Sequence, residues 1–130
     1  MPAEHLPLLV VGSVNMDLVL QTDRVPGAGE TLLGRQFTYS PGGKGANQAV
    51  AAARQGLAVT FVGCVGADDH GAGMSENLRR EGIDVRHLRS DADSRTGFAV
   101  IMVEADGQNR IVVFPGANMR IRAADLAKAF

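Results

Sequence analysis

The sequence predicts an α/β fold: a parallel β-α-β core covered by helices, joined to a small separate β-sheet. Three observations carry this reading. Short apolar strands alternate with helical stretches from Leu8 to Leu88, the pattern of a parallel sheet with helices over it. The stretch Ser40-Pro41-Gly42-Gly43-Lys44-Gly45-Ala46-Asn47-Gln48-Ala49 forms a tight turn and then opens a helix with a run of alanines. Thr31 to Tyr39 is too polar for a central parallel strand and reads as part of a small peripheral sheet, and Asp106-Gly107 is a strong hairpin signal.

Leu8 to Val11 is a continuous apolar run and reads as a buried strand. After Gly12-Ser13, period-two alternation resumes in Val14 to Leu20, with Val14, Met16 and Leu18 facing one way and Asn15 and Asp17 the other. Two polar side chains leave one face close together. They are either a solvated strand end, with a turn-capping role, or the start of a site. Pro26-Gly27-Ala28-Gly29-Glu30 is a turn, and Thr31 to Tyr39 is one or two exposed strands. The helix opened by the glycine turn runs to about Gln55, with Gly56 as its C′ residue. Its content is small and apolar almost all round, which predicts thorough burial.

Ala58 to Gly63 is the next strand, and a carboxylate in Asp68-Asp69 caps a helix over roughly Gly73 to Glu81 that stops at Gly82. Val85 to Leu88 is a short strand. Thr96 to Glu104 and Arg110 to Phe114 form the hairpin, Pro115-Gly116-Ala117-Asn118 a turn, and Ala123 to Phe130 a helix. That helix meets the end of the sequence without a cap or a closing strand, so the ending reads as a cut.

The 130 residues suffice for one ordinary domain, and 45% hydrophobic with 21% charged content is a globular composition. A formal net charge of −1 provides no basic field for nucleic acid or anionic membrane. No apolar run has membrane-spanning length, and no basic segment precedes the first apolar run as in a secretory signal. The single cysteine, Cys64, excludes an internal disulfide and suits a reducing cytoplasm. It sits in an apolar strand, where a buried structural thiol is expected.

Phosphate-loop motifs fail on their spacing. A Walker loop needs Gly-Lys-Ser/Thr, but Gly43-Lys44 is followed by Gly45, and Thr38 stands where the leading glycine belongs. A dinucleotide fingerprint fails because Gly12 leads into another strand and Gly43-Lys44-Gly45 lacks the third glycine. His5, His70 and His87 have no ligand spacing, so no metal site is expected. What remains is Asn15, Asp17, Gly42, Gly43, Lys44 and Asn47: a carboxylate, two amides, main-chain donors and one ammonium. That mix suits a neutral polyol, whose hydroxyls both donate and accept. A phosphate would avoid the carboxylate.

Gly12-Ser13-Val14-Asn15-Met16-Asp17, Pro26 to Thr31 and above all Gly42 to Ala53 closely resemble the ribokinase/PfkB family of carbohydrate kinases. The resemblance continues through Thr96-Gly97 to Gly116-Ala117-Asn118 and so covers essentially the whole chain. It implies a ribokinase-like three-layer α/β/α core, incomplete here, with a β-sheet lid built from residues near 17–40 and 96–114 of this 1–130 N-terminal part. It also implies ATP-dependent phosphorylation of a sugar hydroxymethyl group in a full-length parent. The glycine turn is closest to the branch that converts D-ribose to ribose 5-phosphate. A fructokinase-like or nucleoside kinase, and a non-catalytic sugar-binding or lid-pairing fragment, are the alternatives.

By the same resemblance Asn15 and Asp17 are hydroxyl partners, and Gly42, Gly43, Lys44 and Asn47 are sugar contacts. Ala99, Ile101 and Ile111 lie against the sugar's apolar side. The lid implies a homodimer. The family's general-base Asp, in a Gly-Ala-Gly-Asp motif, and its magnesium and adenine sites belong to a C-terminal half that this sequence does not contain. No catalytic residue is therefore expected here. ATP, Mg2+ and a monovalent cation such as K+ are implied for the parent, with none bound by this chain. Gly27-Ala28-Gly29-Glu30 is a decoy for that motif, because it precedes a strand rather than a helix.

Overall fold

The computed structural model describes residues 7–130. His5 lies outside the described residues. The elements in order are β1 (Leu8–Val11), β2 (Asn15–Gln21), β3 (Gln36–Gly42), α1 (Lys44–Arg54), β4 (Val59–Gly66), α2 (Asp69–Arg80), β5 (Asp84–Asp91), β6 (Gly97–Val103), β7 (Asn109–Phe114), a 3-10 helix (Gly116–Arg120) and α3 (Ala123–Ala129). They make two sheets. A three-stranded parallel sheet has the order β1-β4-β5, and a four-stranded sheet has the order β3-β2-β6-β7.

The core sheet grows in one direction, so two right-handed crossovers put α1 and α2 on the same face. There Phe61 and Val65 of β4 meet Ala46 and Ala49 of α1 and Met74 and Leu78 of α2. Alternation turns the fully buried Val62 and Cys64 to the opposite face, where the 3-10 helix and α3 pack on β4. Burial pushes the Cys64 thiol upward from its ordinary pKa, in keeping with a structural role. Arg89 of β5 fastens α3, donating from Nε to Asp125 Oδ1 at 3.1 Å and from Nη2 to the Arg120 carbonyl.

Several expectations change, and α2 begins at Asp69 rather than near Gly73. Thr31 to Arg35 forms no strand. Strand β3 pairs only with β2, which ends at Gln21 opposite Gln36, so the ladder stops there, with the Arg35 amide donating to the Gln21 carbonyl at 2.8 Å as its last bond. The ladder instead continues past Tyr39 through Pro41 to Gly42. Pro41 is tolerated because β3 is an edge strand. Helix α1 is not buried all round: Gly45, Ala46 and Ala49 are covered, while Asn47, Gln48 and Ala51 are exposed. Alanine suits either environment, so an alanine-rich helix does not reveal its buried face by composition.

The two sheets are held together at Thr96. Its amide donates to Asp68 Oδ2 at 2.9 Å and its hydroxyl to Asp68 Oδ1 at 2.6 Å, while the same hydroxyl oxygen accepts from the Gly66 amide at 3.0 Å. Asp68 also caps α2, accepting from the Gly71 amide at 2.8 Å. Burial disfavours the Asp68 carboxylate, but the Thr96 hydroxyl, the Thr96 amide and the Gly71 amide outweigh it and hold the pKa below the ordinary aspartate value. A depressed carboxyl pKa contributes stability above the unfolded-state value that is lost as pH falls through the folded one. Asp68→Ala is expected to cost roughly 2 kcal/mol, combining a lost cap with buried donors left unpaired. Urea melts should show this deficit at pH 7, shrinking in acid.

Leu8 and Val11 on edge strand β1 are 37% and 44% exposed, and Ile111 to Phe114 on edge strand β7 are each about half exposed. Unpaired edges carrying apolar side chains invite strand addition. The 130-residue chain by itself is expected to self-associate in sedimentation velocity. A monomer with a single cooperative melt would contradict this.

Candidate functional site

The site is assembled where β2 and β3 leave the core and α1 begins. Strand β3 runs directly into α1 with one residue between, so the turn is shorter than the sequence suggested. Gly43 makes that turn with φ 96°, a left-handed conformation that favours glycine. A Cβ on Gly43 would also come within 2.6 Å of the Ser13 carbonyl oxygen and 2.8 Å of Val14 Cα. Gly45 packs onto Gly12 so closely that a Cβ would lie 2.8 Å from the Gly12 Cα. The Ala46 amide donates to the Ser13 carbonyl at 3.0 Å, which ties the helix start to the β1–β2 junction.

Strand register decides which side chains share a face. Asn15 pairs with Gly42 and Gly97, Asp17 with Ser40 and Ala99, and Val19 with Ile101. Ile101 pairs in turn with Ile111, and Ala99 with Val113. Paired residues point to the same side of a sheet. Asn15, Asp17, Ala99, Ile101 and Ile111 therefore line one face of the four-stranded sheet, with Gly42 at its end. A Cβ on Gly42 would overlap the Asp17 carboxylate. Ala99 is 4% exposed and Ile111 51%, so the apolar row grades from the packed base of the sheet to its open edge.

Asp17 is half-buried, and among the described residues no group donates to its carboxylate. Burial pushes its pKa above the ordinary aspartate value. Lys44 is exposed at the first position of α1, next to Gly43. Asn47 is exposed in the first turn of α1. It borders a hollow between α1 and α2 with Pro41, Val50, Arg54, Asn77 and Glu81.

Sequence reasoning missed Asn118 as part of the site. Its Nδ2 donates to Asn15 Oδ1 at 2.7 Å, and its Oδ1 accepts from the Val14 amide at 3.0 Å. The signal was Gly116-Ala117-Asn118, read as a turn; the structure makes it a 3-10 helix. Glu30 is spent within its own loop. It binds Arg24 and accepts from the Gly27 amide at 3.0 Å, and its pKa falls to about 2, first through Arg24 and then through that amide. Among the described residues no group of three or more His, Cys, Asp or Glu side chains is placed to hold a metal ion, and no helix is long and apolar enough to cross a membrane.

Comparison with known proteins gives the family. The profile of the pfkB family carbohydrate kinases matches residues 6–130. A ribokinase of Bacillus subtilis is 47% identical over 117 residues, covering 90% of this chain and 40% of its own length. A mouse ribokinase is 44% identical over 126 residues, covering 97% of this chain and 39% of that protein. The structure of Arabidopsis thaliana ribokinase complexed with ribose and ATP matches with a TM-score of 0.79 at 41% identity, over 86% of this chain and 36% of that one. The chain thus spans about 40% of the length of these relatives. On a family match across nearly all its residues, this chain belongs to the pfkB family of carbohydrate kinases.

Proposed function

We propose that these residues are the sugar-binding and lid part of a kinase that transfers the γ-phosphoryl group of ATP to a sugar hydroxymethyl group, with D-ribose as the sugar. One observation carries the reading: register gathers Asn15, Asp17 and Gly42 beside the apolar row Ala99, Ile101 and Ile111. Polar groups there meet hydroxyls, and the apolar row meets the C–H face of a sugar ring. Gly43 and Lys44 add a main-chain approach and a positive charge at the helix start.

Phosphoryl transfer rests on positioning and charge stabilisation, with a base in reach of the attacking hydroxyl. The role assigned to this chain is to bind and orient the sugar and to shield it from water. The base, the ATP site and the magnesium site are assigned to the rest of the kinase. The names of the relatives support ribose over fructose or a nucleoside. The span of about 40% of those relatives favours a second reading for the isolated chain, that of a binding fragment without activity. The intact kinase should phosphorylate ribose in preference to fructose and adenosine, and residues 1–130 alone should show no kinase activity and at most weak ribose binding by calorimetry. Preference for another of the three substrates would overturn the assignment.

We also propose that the four-stranded sheet pairs with that of a second copy. Exposed Phe37, Tyr39, Val112 and Phe114 support this. A Val112→Lys/Val113→Lys double variant charges both faces of β7 and should convert the intact protein to monomer in sedimentation velocity.

A further inference from the structure

The main-chain amide of Val14 determines which end of the Asn15 carboxamide faces outward. Val14 is fully buried, so its N–H must find an acceptor within the protein. It finds Asn118 Oδ1 at 3.0 Å. A carboxamide has one oxygen, so Asn118 presents its nitrogen at the other end, and that nitrogen meets Asn15 at 2.7 Å. Nitrogen only donates, so Asn15 must turn its oxygen inward. Its own NH2 group is left outward, on the face it shares with Asp17. Among the described residues nothing accepts from that NH2.

The mount is stiff. Ala117 beside Asn118 is fully buried, and its amide donates to the Arg95 carbonyl at 2.7 Å. The bridge also explains Gly97, where any Cβ would overlap both Asn118 Nδ2 and Asn15 Oδ1.

We propose that Asn118 is a positioning residue that sets the polarity of the site: Asn15 can only donate to a bound polyol, and Asp17 can only accept from it. The inference rests on the sugar-binding reading above. It implies that the two sugar hydroxyls are read in opposite senses. The one at Asn15 needs only a lone pair, and the one at Asp17 must give a proton. A fluorine accepts weakly and cannot donate, so one deoxyfluoro-ribose isomer should be tolerated and another rejected.

The test is steady-state kinetics of the intact kinase with ribose, 2-deoxy-2-fluororibose and 3-deoxy-3-fluororibose. Asn118→Ala frees the Asn15 amide to rotate and should raise the ribose KM about tenfold, with the KM for ATP unchanged. Asn118→Asp keeps an acceptor for Val14 but also accepts from Asn15, which then turns its oxygen outward. That variant should lose the tolerated fluorosugar, a reversal that mere loosening of the fold would not produce. An unchanged ribose KM in Asn118→Ala, alongside a raised one in Asn15→Ala, would overturn the proposal and leave the sugar site standing. An unchanged ribose KM in Asn15→Ala would instead overturn the sugar site itself. Should the Asn118 variants fail to fold, side-chain amide NMR of the wild-type protein decides. Added ribose should move the Asn15 NH2 resonances, and resonances that stay fixed would overturn the proposal.

Discussion

Asp17→Asn is expected to lower kcat/KM for the sugar about 5- to 150-fold in the intact kinase, equivalent to roughly 1–3 kcal/mol, because a charge-assisted acceptor is lost while shape is kept. The KM for ATP should change little, since Asp17 faces the apolar row Ala99, Ile101 and Ile111 on the sheet. The same substitution should slightly stabilise the unliganded protein. Burial raises the Asp17 pKa, so the folded state binds its proton more tightly than the unfolded state. Ionisation then costs stability as pH rises from the unfolded value through the raised one, and above that window the cost is fully present. Asparagine removes it. Thermal melts at pH 7 should place Asp17→Asn at or above wild type, with the gap closing in acid. Damaged ATP affinity with unchanged sugar kinetics would show that Asp17 serves another ligand.

Gly43→Ala is expected to destabilise the protein by about 3–5 kcal/mol, a large share of the stability of a typical domain. Two costs coincide at this residue. Its φ of 96° is strained for any residue with a Cβ, and the new methyl would press on Ser13 and Val14. Gly56 separates the two, because it has a similar φ of 89° with nothing within 4 Å of an added Cβ. Gly56→Ala therefore measures the backbone cost alone, about 1–2 kcal/mol. Urea denaturation of both variants checks the difference. Equal losses would mean that the contact with the β1–β2 junction contributes nothing. Sugar affinity should fall with Gly43→Ala as well, since Gly42 and Lys44 are displaced together.

The sequence by itself determined the class of fold, the order of its elements and the glycine that starts α1. These are local matters: an apolar run, a left-handed glycine, an Asp at a helix cap and an Asp-Gly hairpin act within a few residues of themselves. Period-two alternation was enough to put Asn15 and Asp17 on one side of a strand. It could not say what lay beside them, since β2 pairs in parallel with β6 from about 80 residues further along the chain. That pairing alone sets Asp17 next to Ala99 and Val19 next to Ile101. The tertiary structure also ended β3 where its partner ended, overriding the strand propensity of Thr31 to Arg35, and it turned one side of an alanine-rich helix to solvent. Asn118 shows the limit most sharply. Its amide reaches Asn15 across 103 positions, and hydrogen bonds over such a span leave no periodicity or spacing in the sequence, because their geometry exists only once the 3-10 helix has docked on the core.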